Sequence, residues 1–175
     1  ADPTLLLREE CWHKLICKLP DNIPERYVLI FNVEKPLSNV LFAKKVAQEK
    51  KLKIVYINDR TLRKDKDITY VEAPSPDVFL SLFANANMIV TNSFHGTVFS
   101  IIFQKEFFVE LENRKQRNIR VENLLKELQI MGRDIDSNDY SDFSFPEICW
   151  DRISCILQKK RKEASDYFDK VLIKM

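Results

Sequence analysis

Short apolar runs alternate with amphipathic segments along most of this chain. The runs with the length and residue types of strands buried on both faces are Tyr27–Phe31, Leu52–Ile57, Met88–Val90 and Phe107–Val109, with a weaker run at Ile68–Val71. Neighbouring parallel strands need a crossover connection, which is usually a helix. The pattern therefore predicts an α/β domain with a Rossmann-like, doubly wound and mostly parallel sheet.

The segments between these runs place apolar residues at helical spacing. They predict helices over residues 8–19, over residues 38–50, from Ser75 to Ala86, after His95, from Val121 to a stop near Gly132, and over residues 146–173. Ser75-Pro76-Asp77 is the best-marked start, with a capping hydroxyl, a proline and an acidic first turn. The last helix carries an apolar stripe from Ile153 to Leu172, so we expect it to clamp the domain.

Length and composition favour one folded domain over residues 1–175. Of these residues 45% are hydrophobic, which suits a single sizeable core. The net charge is +2 with the signs interspersed, so we expect no nucleic-acid partner. No apolar run reaches the roughly 20 residues of a transmembrane segment and no signal peptide is evident, so we expect a cytoplasmic protein. Because the sequence begins at Ala1 without methionine, we expect it to be part of a longer protein.

Cysteine spacing and absent motifs narrow the chemistry. Cys11 and Cys17, like Cys149 and Cys155, lack the Cys-x-x-Cys spacing of a metal or redox site, so we expect reduced, partly buried thiols and no metal. The chain also has no G-x-G-x-x-G, no Walker loop and no G-x-S-x-G elbow. These absences argue against a dinucleotide enzyme, an NTPase and an esterase.

Gly96 is the most informative position, because the chain holds only two glycines where average usage of about 7% would give roughly a dozen. It follows His95 in a polar elbow, Thr91-Asn92-Ser93-Phe94-His95-Gly96-Thr97, between a predicted strand and a predicted helix. In open α/β sheets, ligands bind beyond the carboxyl ends of the strands. We therefore expect the chemistry at this elbow.

The elbow carries the residue types of an anion site. Asn92, Ser93 and Thr97 can cap the helix start, and exposed N–H groups there add to the positive end of the helix dipole. His95 can hold or donate a proton near neutral pH. Capping alone would explain the polar residues, and a structural role would explain the histidine. Their place at the end of a strand instead favours a small, negatively charged substrate.

A basic run follows the next predicted strand. Residues 112–120 lie between that strand and a helix, and therefore on the same sheet edge as His95. We consider Arg114, Arg117 and Arg120 as further contacts to the anion, since the arginine fork suits phosphate or carboxylate. A basic run is also typical of plain solvated surface.

These residues resemble the polysaccharide pyruvyl transferase family, specifically its C-terminal half. The resemblance rests on Asp2–Leu7 with Trp12, Ser75–Leu80, the Thr91–Thr97 elbow, Arg120–Leu125 and Arg161–Ser165, which occur in the family's order. It implies one of two Rossmann-like halves of a GT-B-like fold, with residues 1–7 as an interdomain linker and an N-terminal domain outside this chain. The chain departs from the family at Gln104-Lys105-Glu106, where lysine followed by proline is usual.

The resemblance also implies an activity. Family members transfer the enolpyruvyl group of phosphoenolpyruvate to a sugar, forming a pyruvate ketal and releasing phosphate, without a cofactor or a required metal. The acceptor would be a sugar or a lipid-linked saccharide of a bacterial exopolysaccharide, used in the cytoplasm or at the inner face of the membrane. His95 carries over as the active-site histidine that binds donor phosphate or acts as general acid. Without its other half, this domain is expected to be inactive.

Two other classes of function stay open. A nucleotide-sugar glycosyltransferase half would share the fold and would need a ribose-binding carboxylate beyond the elbow. Glu110 and Glu112 are the candidates, although a plain surface position explains both better. A non-catalytic binding or assembly domain would keep the fold without turnover.

Overall fold

The sheet at the centre of the domain is parallel throughout. The computed structural model describes residues 2–33, 37–58, 65–111, 115–135 and 145–172. Its strands are β1 (Tyr27–Phe31), β2 (Lys53–Asn58), β3 (Ile68–Glu72), β4 (Met88–Thr91) and β5 (Glu106–Val109), in the order β3-β2-β1-β4-β5. The predicted Rossmann-like α/β fold is confirmed.

Helices cover both faces of this sheet. They are α1 (Pro3–Leu6), α2 (Glu9–His13), α3 (Leu37–Lys50), α4 (Pro76–Asn85), α5 (Phe94–Ile102), α6 (Lys115–Glu127) and α7 (Trp150–Leu172). Apolar residues of α3 pack on one face together with Val28 and Ile30 of β1. The buried residues of α1, α4, α5, α6 and α7 form the core on the other face.

This arrangement creates a switch point between β1 and β4, which are neighbours in the sheet. The chain leaves β1 for α3 on one face, and it leaves β4 for α5 on the opposite face. Two connections that diverge in this way open a crevice at the carboxyl ends of their strands, where ligands of open α/β sheets bind. The Thr91–Thr97 elbow lies at that crevice.

The first predicted helix is much shorter than expected. Residues 8–19 were predicted as one helix, which is wrong, because α2 ends at His13. Beyond it, the Cys17 amide donates to the Ser81 hydroxyl of α4 at 2.9 Å instead of to a helical carbonyl. Ile16 and Leu19 still pack against the core, so the apolar spacing reflected burial and not helical periodicity.

The C-terminal helix begins later than predicted and packs over only part of its length. It starts at Trp150 and not at Pro146, whose carbonyl accepts a hydrogen bond from Arg133. Ile153 and Leu157 are buried on the domain, whereas the later residues of the stripe, Tyr167, Phe168 and Val171, are 65%, 54% and 41% exposed. The expected clamp is therefore formed by the first half of α7.

The segment expected to link two domains is folded onto this one. Within residues 1–7, α1 buries Leu5, and Arg161 of α7 donates to the carbonyl oxygens of Leu5 and Leu7 at 2.9 and 3.0 Å.

The cysteine thiols are more exposed than expected. All four are free, but only Cys17 is partly buried, while Cys11, Cys149 and Cys155 are exposed.

Candidate functional site

The elbow is shaped by hydroxyl groups at the end of β4. Ser93 is the N-cap of α5, and its hydroxyl accepts a hydrogen bond from the Gly96 amide at 3.3 Å. The Thr91 hydroxyl accepts from the Ser93 amide at 3.0 Å and donates to the Phe31 carbonyl of β1. These contacts turn the chain sharply from strand to helix, as the capping residues predict.

Gly96 allows α5 to lie against the sheet. A Cβ atom at this position would lie 3.0 Å from Thr91 Cβ and 3.2 Å from Phe31 Cδ1. Both contacts are tight, and the added Cβ would also overlap the Thr91 hydroxyl oxygen, so a larger residue requires Thr91 or the helix to shift. The structure thus gives Gly96 a packing role, and its contact with substrate stays a prediction.

Asn92 ties the two sides of the switch point together. Its side-chain oxygen accepts from the Val33 amide at 2.9 Å, and its own amide donates to the Asn32 side-chain oxygen at 3.1 Å. Asn32 also accepts from the Asn39 side chain of α3 at 2.7 Å. Asn92 therefore holds Asn32 and Val33, the two residues that follow β1, a role that sequence reasoning missed.

Several of the predicted site residues are buried in the elbow and do not face solvent. Ser93, Gly96 and Thr97 are buried, and the Thr97 hydroxyl donates to the Ser93 carbonyl at 3.1 Å. The N–H groups of Phe94 and His95 open the first turn of α5, where no preceding turn supplies carbonyl partners. A ligand at this elbow would therefore meet backbone N–H groups and the imidazole of His95.

His95 is exposed at the carboxyl edge of the sheet. Among the residues that the structure describes, its imidazole has no hydrogen-bond or ion-pair partner, and its ring centre lies 5.5 Å from that of Phe94. The Arg120 guanidinium lies over the same Phe94 ring, which is half-buried, at 3.9 Å from its centre. His95, Phe94 and Arg120 thus form one surface cluster at the first turn of α5.

Of the three arginines predicted to contact the anion, one has a described side chain at the elbow. Arg120 lies within α6, which begins at Lys115 and not at Val121 as predicted, so residues 115–120 of the basic run belong to the helix that they were expected to precede. Arg114 lies outside the described residues, and so does the side chain of Arg117. Among the three, Arg120 is the one whose described side chain lies at the elbow.

Asp2 is a member of this cluster that sequence reasoning placed in a linker. Its carboxylate caps α1 through the Thr4 amide at 3.0 Å and pairs with Arg120 at 3.2 Å. Burial raises the pKa of Asp2, but the hydrogen bonds from Thr4 and the charges of His95 and Arg120 outweigh it and hold the pKa below the ordinary value of 3.8. Asp2 is consequently an anion beside His95.

Glu110, at the end of β5, is not the surface acid that was expected. Its side chain is 6% exposed and accepts a hydrogen bond from the Ser38 hydroxyl at the start of α3. That contact joins β5 to the opposite side of the switch point. Glu112, the second candidate for binding a ribose, lies outside the described residues.

Two cavities flank this side of the domain. One of about 420 Å³ opens beside the cluster, between α1, α6 and α7, and includes Asp2, Phe94 and Arg120 in its lining. A larger cleft of about 830 Å³ is lined by Ile101, Ile102 and Gln104, at the far end of α5. That end lies at the opposite edge of the sheet, so of these two cavities it is the smaller that reaches the elbow, through Phe94.

The described part of the chain lacks two features. It contains no group of three or more His, Cys, Asp or Glu side chains arranged to hold a metal ion. It also contains no helix with the length and apolar character needed to span a bilayer.

Solved structures with a similar fold define the class of domain. The glycotransferase of kitacinnamycin has a TM-score of 0.56 and 16% identity, over 89% of this chain and 45% of that one. The glycosyltransferase SnogD from Streptomyces nogalater has a TM-score of 0.52 and 13% identity, over 85% of this chain and 42% of that one. This chain is therefore a Rossmann-like domain resembling one half of a GT-B fold, and it spans less than half the length of these enzymes.

The family follows from the sequence itself. Residues 1–110 match the family model of polysaccharide pyruvyl transferase. Because the match covers more than half of the 175 residues, the chain belongs to the polysaccharide pyruvyl transferase family. No curated protein sequence matches the chain significantly.

Proposed function

We propose that this chain is the donor-binding domain of a pyruvyl transferase, which moves the enolpyruvyl group of phosphoenolpyruvate to a sugar of a cell-surface polysaccharide. The observation that carries the proposal is the exposed imidazole of His95 above the first turn of α5, at the switch point of the sheet. Family membership supplies the reaction class. We also propose that the enzyme has an N-terminal half outside this chain, and that its acceptor is a sugar or a lipid-linked saccharide.

Phosphoenolpyruvate is a small molecule with two anionic groups, a carboxylate and a phosphate. The first-turn N–H groups of α5 and the Arg120 guanidinium are donors suited to such charges. The reaction protonates the terminal carbon of the enol, two sugar hydroxyls bond to the adjacent carbon, and the bond from that carbon to the phosphate oxygen breaks. The two hydroxyl protons balance the proton gained by the terminal carbon and the proton that leaves on the phosphate. His95 serves this sequence by binding the phosphate or by donating the proton.

The four free cysteines fit a cytoplasmic location, where thiols stay reduced. We include in the proposal that the enzyme works in the cytoplasm, at or near the inner face of the membrane. Metal and cofactor independence is also part of the proposal.

A nucleotide-sugar donor is the second candidate, favoured by the fold shared with two glycosyltransferases. Its ribose would need a carboxylate beyond the elbow, but Glu110 is buried and bonded to Ser38. Calorimetric titration of the complete protein with phosphoenolpyruvate and with several nucleotide-sugars separates the two. We expect binding of phosphoenolpyruvate. A preference for a nucleotide-sugar would overturn the proposal, and binding of neither donor would favour a non-catalytic domain.

A further inference from the structure

The Asp2–Arg120 pair joins the start of the chain to the cluster at the elbow. One guanidinium nitrogen of Arg120 lies 3.2 Å from the Asp2 carboxylate, and the guanidinium carbon, Cζ, lies over the Phe94 ring, 3.9 Å from its centre. The Asp2 side chain is 13% exposed and the Arg120 side chain is 60% exposed. An arginine held at two points in this way is ordered, although its outer edge remains in solvent.

Asp2 is itself fixed in place. One carboxylate oxygen accepts from the Thr4 amide, and the other accepts from Arg120. The helix that Asp2 caps is held to α7 by Arg161, which donates to the carbonyl oxygens of Leu5 and Leu7. The carboxylate is therefore anchored through α1 to the body of the domain, independently of its contact with Arg120.

We infer that Asp2 is a positioning residue, which holds the Arg120 guanidinium over Phe94 and beside His95 so that its free edge faces the anionic donor. This inference rests on the proposed function. A guanidinium offers five N–H donors, so the pair with Asp2 leaves others for a phosphate or carboxylate. An ordered arginine also loses less side-chain freedom when the donor binds.

The sign of the effect separates positioning from charge. Removing a carboxylate beside an anion site would tighten anion binding if only charge mattered. If Asp2 acts by holding Arg120, the same change weakens binding. Asn is as good a helix N-cap as Asp, so Asp2→Asn keeps α1 capped and removes only the charged contact.

The test is calorimetric titration of the complete protein with phosphoenolpyruvate, using Asp2→Asn, Asp2→Glu, Arg120→Met, His95→Ala and the double variant Asp2→Asn/Arg120→Met. Asp21→Asn is the matched control, because it also removes a carboxylate paired with a cation, Lys18, but at an exposed position outside the cavity at the elbow. We expect Asp2→Asn to weaken binding about tenfold, Asp2→Glu to restore part of it and Asp21→Asn to leave it unchanged. In the Arg120→Met background, Asp2→Asn should add nothing.

Several results would overturn the inference. Unchanged or tighter binding by Asp2→Asn, with binding lost in His95→Ala, would refute the role of Asp2 and leave the proposed function standing. An equal loss from Asp2→Asn in the presence and absence of Arg120 would show that Asp2 does not act through the arginine. A wild-type protein that binds no phosphoenolpyruvate would overturn both proposals.

Discussion

Thr91 lies so close to Gly96 that a Cβ atom on Gly96 would be 3.0 Å from Thr91 Cβ and nearer still to the Thr91 hydroxyl. This hydroxyl cannot easily move, because it bonds both the Ser93 amide and the Phe31 carbonyl. The close contact presses the first turn of α5 onto β4 and β1. It thereby positions the backbone turn that carries the neighbouring His95.

Gly96→Ala should destabilise the fold and disturb the site together. The added methyl forces α5 away from Thr91, so we expect a loss of about 2 kcal/mol in the free energy of unfolding. Urea denaturation measures this loss, and titration with phosphoenolpyruvate measures weaker binding. Gly132→Ala is a useful contrast, because it strains a positive φ of 67° in the turn after α6. Gly132→Ala should lower the free energy of unfolding without altering donor binding by the folded protein. If Gly96→Ala is as stable as wild type, the packing role of Gly96 is contradicted.

Arg133 and Arg120 should differ sharply in how much each contributes to the free energy of unfolding. The Arg133 side chain is 1% exposed, pairs with Glu106 at 2.7 Å and donates to the Pro146 carbonyl. Arg133→Met removes these contacts, and we expect a loss of about 3 kcal/mol in unfolding free energy. Arg120→Met, at a side chain 60% exposed, should cost under about 0.5 kcal/mol. Denaturant unfolding of both variants checks the contrast, which equal losses would refute.

Asp2 should make stability depend on acidity. Its folded-state pKa is held below the ordinary 3.8, so the ionised carboxylate stabilises the fold above that value. The contribution disappears as pH falls through the lower, folded-state pKa. The advantage of wild type over Asp2→Asn in unfolding free energy should therefore shrink between about pH 6 and about pH 3. Urea unfolding across this range is the measurement, and a difference that stays constant would show that Asp2 is not stabilised as an anion.

Most of the fold was predictable because its signals are local. The run Tyr27–Phe31 matches β1, and Ser93 caps α5 as the elbow predicts. The failures arose where apolar spacing had a different cause. Ile16 and Leu19 are partly buried without being helical, and Phe168 lies on the helical stripe without being buried.

The site was predictable only in part, because contacts between distant residues leave little trace in a single sequence. His95 and the elbow follow from one short segment. The pairing of Asp2 with Arg120 joins residues 118 positions apart, and the contact of Glu110 with Ser38 joins residues 72 positions apart. The family resemblance draws on the Asp-Pro segment, but no residue near it in the sequence indicates that the Asp2 carboxylate reaches the elbow.

The most direct test of the account is pyruvyl transfer from phosphoenolpyruvate by the complete protein, compared between wild type and His95→Ala. His95 is exposed and, within the described residues, unbonded, so its removal should leave the melting temperature almost unchanged. We predict that His95→Ala abolishes transfer while the protein remains folded. Transfer at the wild-type rate by a folded His95→Ala variant would contradict the central claim that this elbow is the donor site.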